Sequence, residues 1–271
     1  MNTLLSLSSP LSPRPVAVPR RDAGAARPAV PPLLFGNQLL AALHRLAPRG
    51  ALEALEAVEL PVGRMLLQQG RPVAWLYFPV DALASVLGVL RNGTFTEVAM
   101  VGSDGVLGAE AALAGLPAAH DVVVQVPGRA CRLPVEVAQA LCRHEPGLQA
   151  VLLQSSFALQ RQIAQLAACN RHHCIEQQLC RWLLSAAARL RRDEVPMTQE
   201  RLAVALGVRR EGVTESARRL KQAGLVGYSR GRILLQDRPG LEARACECHH
   251  ALQAVSARLE STLTAMEAEP A

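Results

Sequence analysis

The chain has 271 residues, half of them hydrophobic and 19% charged, with 29 basic against 23 acidic side chains, a composition that excludes a wholly disordered protein. It contains neither 18 consecutive apolar residues nor a basic leader, so we expect no membrane span and no signal peptide, and therefore a cytoplasmic protein. The seven cysteines are an odd number, which indicates reduced thiols rather than a disulfide framework.

The first 34 residues are predicted to be a disordered Pro/Arg-rich tail. Seven prolines and four arginines fall within residues 1–32. Such a segment buries too little apolar surface to offset the entropy of ordering. We therefore place the first folded domain after residue 34.

Residues 35–145 are predicted to form a β-roll sensor domain. Leucines between Asn37 and Val58 follow helical spacing, and from there to Val126 glycines recur at short intervals between apolar runs. The second pattern is typical of short strands joined by tight turns. The dipeptide at 92–93, Asn-Gly, predicts a type I′ hairpin turn with both residues at positive φ.

Residues 146–166 are predicted to form a long dimerisation helix. After Pro146 and Gly147, apolar residues recur at steps of three and four, the spacing of a coiled-coil seam. The stripe either packs on its own domain or pairs with a second copy, and we favour a parallel homodimer. The residues assigned to this dimer interface are Leu148, Leu152, Leu159, Ile163 and Leu166.

The strongest signal is a helix-turn-helix within residues 197–226. Thr198 can cap a first helix, Gly207 supplies the turn, and a second helix runs from about Arg209 to Ala223. Two helices in this arrangement place the second one in the major groove of DNA. The residues that follow predict a two-stranded wing with basic side chains at its tip.

The basic charge is concentrated in this segment. Residues 197–232 hold eight basic and three acidic side chains, whereas residues 33–135 hold seven and eight. A compact basic patch favours binding to a phosphate backbone, and a solvated helical face is the plainer explanation of the same charge.

The stretches LYFPVDALASV, EVAMVGSDGVLG and TQERLAVALGVRREGVT, together with the order of the parts, resemble the Crp/Fnr superfamily of bacterial transcription regulators. The resemblance covers Phe35 to about Pro239. It implies an α+β fold: a cyclic-nucleotide-binding-like β-roll (a jelly roll), the dimerisation helix and a winged helix-turn-helix over 167–240. Beyond the resemblance, we predict a helical extension over 241–271. The resemblance also implies a homodimer that binds a two-fold symmetric site on double-stranded DNA in response to a signal, with RNA polymerase as a further candidate partner.

The resemblance assigns roles to individual residues of the helix-turn-helix. Arg210 and Glu211 match the pair with which the family reads base edges, and Thr198 matches a hydroxyl that contacts phosphate. Glu215 is a further predicted DNA contact that departs from the family's prototype, which has arginine there, so the target sequence is expected to differ. The predicted backbone contacts are Arg209, Thr214, Arg218, Lys221, Arg230 and Arg232.

The sensor lacks the family's phosphate-binding residues. Cyclic-nucleotide binders need a Gly-Glu pair and, about a dozen residues later, an arginine for the phosphate. Here Gly108 is followed by Ala109, and the arginine position falls on Ala119 or His120. We therefore do not expect cAMP binding, and the sequence does not identify the effector; Glu110 and His120 are candidates for contacting another ligand.

Two groups of cysteines and histidines raise the question of a metal. Neither the group containing Cys169 and Cys174 nor the group containing Cys246 and Cys248 has paired C-x2-C spacing, and on a helix each group would not face one way. We expect free thiols, no metal and no cofactor, while a redox or metal role for either pair stays open.

No motif of a nucleotide-hydrolysing, esterase, metalloprotease or dinucleotide-dependent enzyme occurs in the sequence. We therefore do not expect an enzyme. The alternative to a DNA-binding regulator is a signal-binding β-roll with a non-DNA output, which requires the basic helix-turn-helix to be vestigial.

Overall fold

The computed structural model describes residues 35–48 and 50–268, with side chains as far as residue 265. The predicted tail, residues 1–34, lies outside this part. Within it, no helix is long and apolar enough to cross a membrane.

The N-terminal region is an antiparallel β-roll flanked by helices. Its elements are α1 (Gln38–Leu46), β1 (Glu56–Leu60), β2 (Met65–Leu67), β3 (Trp75–Pro79), β4 (Leu83–Val89), β5 (Phe95–Val101), α2 (Ala109–Ala114), β6 (Asp121–Val126), β7 (Gly128–Pro134) and α3 (Val135–His144). The strands form two sheets, one ordered β1-β7-β3 and the other β2-β6-β4-β5. Leu60, Tyr77, Val86, Leu107 and Val124 belong to one apolar cluster that joins the sheets.

The hairpin between β4 and β5 has a different turn type from the one that the sequence predicted. Gly93 has a φ of +83°, but Asn92 does not have a positive φ. The Gly93 N–H donates to the Leu90 carbonyl at 2.9 Å, and the Leu90 N–H donates to the Thr94 carbonyl at 2.8 Å. This pattern is a three-residue loop in which a type I turn is followed by a left-handed glycine, so the type I′ prediction is wrong. The Asn92 side chain accepts from the Thr94 N–H and fixes the turn.

A long helix, α4 (Pro146–His172), follows the roll. It begins at Pro146 as the sequence indicated, because proline in the first turn lacks only an N–H that would have no helical partner. It continues past the predicted end at Leu166 and stops before His173, where the backbone becomes extended. The next helix, α5 (Ile175–Leu190), starts at once, with Cys174 as its N-cap.

The C-terminal region is a winged helix-turn-helix. After α5 come β8 (Glu194–Val195), α6 (Gln199–Leu206), α7 (Arg210–Gln222), β9 (Val226–Ser229) and β10 (Arg232–Leu235). The three strands form a sheet ordered β8-β10-β9. The sequence predicted a two-stranded wing; β8 adds a third strand that is only two residues long and therefore shows no periodicity.

Two further helices, α8 (Arg238–Arg244) and α9 (Cys248–Ala268), form the C-terminal extension. The start of α9 lies beside Cys169 at the end of α4, whereas Leu259 and Leu263 lie beside Leu148 near its start. The two helices therefore run antiparallel along much of their length.

The packing of α4 shows what lies against each residue of the predicted dimer interface. The first two predicted residues pack against Leu259 and Leu263 of α9, the next two against the roll, and the last beside the cysteines at the start of α9. In that order, they are Leu148, Leu152, Leu159, Ile163 and Leu166. Leu148, Leu152 and Leu166 are buried within their own chain, whereas Leu159 and Ile163 are partly buried.

The roll and the winged helix domain share a buried polar junction. Glu97 on β5 accepts hydrogen bonds from the Trp182 indole at 2.8 Å and from the Ser85 hydroxyl. Burial raises the pKa of Glu97 to about 7, although both hydrogen bonds act in the opposite direction. The Ser103 hydroxyl donates to the Arg189 carbonyl at 2.7 Å. These contacts hold α5 against the roll.

Candidate nucleic-acid interface

The helix-turn-helix forms with the predicted caps. The Thr198 hydroxyl accepts from the Arg201 N–H at 3.3 Å and begins α6. Gly207 ends that helix at a φ of +66°, a left-handed conformation that glycine adopts without strain. Arg209 is the N-cap of α7, and Gly224 follows its last turn at a φ of +74°. The turn between the helices therefore has the geometry that the sequence indicated.

One face of α7 is buried and orients the other toward solvent. Val213, Ala217 and Leu220 are at most 1% exposed. They belong to the same core cluster as Leu202 and Leu206 of α6. Because buried residues at steps of four and three share one side of a helix, the remaining side chains of α7 project outward.

The predicted DNA contacts lie on α7 and its N-cap, at the start of α6 and on the wing. Every one of them is exposed: Thr198, Arg209, Arg210, Glu211, Thr214, Glu215, Arg218, Lys221, Arg230 and Arg232. The four basic residues Arg209, Arg210, Lys221 and Arg230 form no ion pair with any residue that the structure describes. Their charges are available to a phosphate or a base edge.

Other predicted contacts are engaged with neighbours. Arg218 donates to Glu215 through Nε at 3.0 Å and Nη2 at 2.7 Å. These bonds lower the pKa of Glu215, so its carboxylate stays charged and offsets much of the guanidinium. Arg232 pairs with Glu194 at 2.9 Å. The basic surface is thus made of free and partly neutralised cations.

The wing tip lies next to the start of α6. Arg230 and Gly231 connect β9 to β10 at φ values of +43° and +80°. A Cβ atom on Gly231 would lie 3.6 Å from the Thr198 methyl group, so these two predicted contact regions adjoin. The positive φ of Arg230 is unusual for a residue with a side chain, and it points to a tightly turned tip.

The two candidate effector contacts lie in different segments of the roll. Glu110 lies in the first turn of α2, with Oε2 buried and lacking a hydrogen-bond partner among the described residues. His120 is half-buried and directly precedes β6. Ala109, at the position of the family's glutamate, is 1% exposed.

The structure brings four cysteine and histidine side chains together, which the sequence did not indicate. Cys169, His173, Cys246 and Cys248 have ligand atoms within 4.8 Å of one another. The cluster takes two residues from each of the two sequence groups, so neither group contains it alone. Cys174 is exposed and does not join it.

Two family models match the chain. Residues 57–145 match the cyclic nucleotide-binding domain, and residues 177–244 match the Crp-like helix-turn-helix domain. The first falls on the β-roll and the second runs from α5 to α8. Together they cover more than half of the chain.

Solved structures share this fold. FixK2 from Bradyrhizobium japonicum is 15% identical with a TM-score of 0.63, and the match covers 71% of this chain and 98% of that one. A CRP-family transcriptional regulator from Thermus thermophilus is 21% identical with a TM-score of 0.58, covering 69% and 96%. CLP, a c-di-GMP-responsive global regulator from Xanthomonas campestris, is 14% identical with a TM-score of 0.55, covering 73% and 99%. No curated protein matches the sequence. On its two domains and their order, the chain belongs to the Crp/Fnr family of transcription regulators.

Proposed function

We propose that the protein is a homodimer that reads a two-fold symmetric DNA site with α7. The observation that carries the proposal is the outward face of α7, where Arg209 and Arg210 are exposed and unpaired among the described residues at the start of a helix whose opposite face is buried. The N-terminal residues of a recognition helix are those that reach base edges in the major groove.

Arg210 and Glu211 are the proposed base-reading residues. An arginine can donate two hydrogen bonds to guanine, and a glutamate can accept one from cytosine. The paired Glu215 and Arg218 are directed at each other. The unpaired Arg209, Lys221 and Arg230, together with Thr198, position the protein on the phosphate backbone.

The proposed dimer interface is a second face of α4. The residues Ala150, Leu153, Phe157, Gln160, Ala164 and Ala167 follow alternating steps of three and four. Leu153 and Phe157 are 52% and 55% exposed, which is unusual for side chains of this size. Ala251 and Arg258 of α9 border the same surface. A second copy of α4 would bury this seam in a coiled-coil contact.

The proposed signal is something other than cAMP. The cluster that joins the two sheets of the roll is apolar. Among the described residues of the roll, Glu97 is the one buried side chain of a charged residue type, and it is acidic. A cyclic phosphate held there would lack the cation that it needs. Measured by calorimetry, cAMP should give no binding heat with the full-length protein.

The proposed DNA function is tested by selection from random double-stranded DNA at two salt concentrations, with the full-length protein and no added ligand. Enrichment of a two-fold symmetric sequence, bound more weakly at higher salt, is the expected result. Failure to enrich any sequence, both without ligand and with nucleotides added, would contradict the proposal.

A further inference from the structure

Three cysteines and one histidine meet where α4, α5 and α9 join. The Sγ atoms of Cys169 and Cys246 are 3.6 Å apart, and the Sγ of Cys248 is 3.5 Å from Nδ1 of His173. The three cysteines are buried and are free thiols. His173 is half-buried. A closed set of four such ligands is the arrangement of a structural metal site.

The chain builds this cluster from two distant segments. Cys169 lies in the last turn of α4, and His173 is the C-cap that follows it. The His173 N–H still donates to the Cys169 carbonyl at 3.1 Å, which keeps the two residues on the same side of the helix end. Cys246 lies in the link before α9, and Cys248 is the first residue of that helix. The antiparallel return of α9 brings the second pair onto the first.

The distances suit one tetrahedral ion. With zinc–sulfur bonds of about 2.3 Å, ligand atoms in a tetrahedral site lie about 3.5 to 3.8 Å apart. The longest separation in the cluster is 4.8 Å, and side-chain movement of about 1 Å closes it to that range. An iron–sulfur cluster distributes its four protein ligands over two or four iron atoms, so the four ligand atoms cannot all lie as close together as they do here.

Neighbouring groups support metal ligation. Nε2 of His173 lies 3.1 Å from Oε1 of Glu247, while Nδ1 faces the sulfurs. Metal-binding histidines commonly donate their second ring N–H to a carboxylate in this manner. The Gln165 amide donates to the Cys248 Sγ at 3.0 Å, and the Gln178 amide donates to the His173 carbonyl at 2.8 Å. Thiols that only fill a hydrophobic core need none of these partners.

We infer that Cys169, His173, Cys246 and Cys248 bind one Zn²⁺ ion. The three thiols lose their protons to solvent, neutral histidine supplies a nitrogen, and no electron is transferred, so the complex carries one net negative charge. The ion ties the start of α9 to the segment where α4 ends and α5 begins. It therefore holds α9 over the buried face of α4.

Cobalt substitution tests the site in the full-length protein. Reduced protein is stripped with a chelator and titrated with Co²⁺, which gives strong visible bands and a near-ultraviolet thiolate charge-transfer band in a tetrahedral thiolate site. We expect saturation at one Co²⁺ per chain and displacement by Zn²⁺. The visible bands and the charge-transfer band should be lost in Cys246→Ser and in Cys248→Ser. The matched control is Cys174→Ser, which changes the exposed neighbour of His173 and should bind metal normally.

The carboxylate of Glu247, which contacts His173 and is not one of the four ligands, provides a quantitative test. Glu247→Gln should weaken Zn²⁺ affinity by about 10- to 100-fold and leave the stoichiometry at one. Absence of cobalt bands in the wild-type protein would overturn the inference, as would equal metal binding by Cys246→Ser.

If the cysteine variants do not fold, the wild-type protein alone can test the metal site. Its thermal midpoint should rise when Zn²⁺ is added after stripping, because an ion that binds only the folded state stabilises it. No shift, together with a Cys169–Cys246 disulfide in the oxidised protein, would show a thiol pair instead of a metal site.

Discussion

At the start of α7, Arg210 is exposed and forms no ion pair with a described residue. Replacing it with alanine should cost about 1–3 kcal/mol of specific binding and relax the preference at one base position. Lys221→Ala should instead weaken binding to all sequences about equally, because a phosphate contact carries no sequence information. Competition binding against single-base variants of the selected site measures both effects. Unchanged base preference in Arg210→Ala would contradict its assigned role.

The buried carboxyl of Glu97 predicts a pH dependence of stability. Its pKa is raised by burial to about 7, above the ordinary value of 4.5. The folded protein therefore keeps this proton while the unfolded chain releases it, so stability falls as the pH rises from 4.5 to 7 and the loss is complete above that. The full change is about 3 kcal/mol.

Urea unfolding at several pH values compares the wild type with Glu97→Gln, which keeps the hydrogen-bonding shape without the charge. The variant should lose this part of the pH dependence. The surface control Glu53→Gln should retain it. A wild-type slope that survives in Glu97→Gln would place the titrating group elsewhere.

On the scale of single elements, the two faces of α4 should respond differently to a charge. Phe157 lies on the exposed seam, so Phe157→Arg should dissociate the dimer and weaken DNA binding while the midpoint of monomer unfolding changes little. Leu152 is 3% exposed in the core with α9, so Leu152→Arg should destabilise the fold itself. Sedimentation velocity and urea unfolding separate the two outcomes. A Phe157→Arg protein that stays dimeric and binds DNA normally would rule out the seam.

Sequence patterns specified α6, α7 and the wing because their signals are local. The Thr198 cap and the Gly207 turn each act within a few residues. The partner of α4 could not be predicted in the same manner, because apolar spacing shows that a face is buried without showing what buries it. The covering helix α9 begins 76 residues after α4 ends. The Cys/His cluster could not be predicted for the same reason, since its two halves are far apart in the sequence and neither has the spacing of a known metal-binding motif.

For the whole dimer, the salt dependence of DNA binding reports how many phosphates are neutralised. Each copy offers three proposed backbone contacts that are unpaired among the described residues: Arg209, Lys221 and Arg230. Two copies would neutralise about six phosphates, for a slope of log K against log salt of about −5. If the paired Arg218 and Arg232 also released their carboxylates and bound phosphate, the count would be about ten and the slope about −9.

We expect the smaller slope, because Glu215 and Glu194 already offset the two paired arginines at 2.7 and 2.9 Å. Fluorescence anisotropy of a labelled symmetric site across a salt series gives the value. Arg218→Ala should leave the slope unchanged, whereas Lys221→Ala should reduce its magnitude by about 2, one for each copy. A wild-type slope near −9, or a slope of smaller magnitude in Arg218→Ala than in the wild type, would contradict this expectation. It would mean that DNA displaces Glu215 from Arg218 and that the ion pair opens on binding.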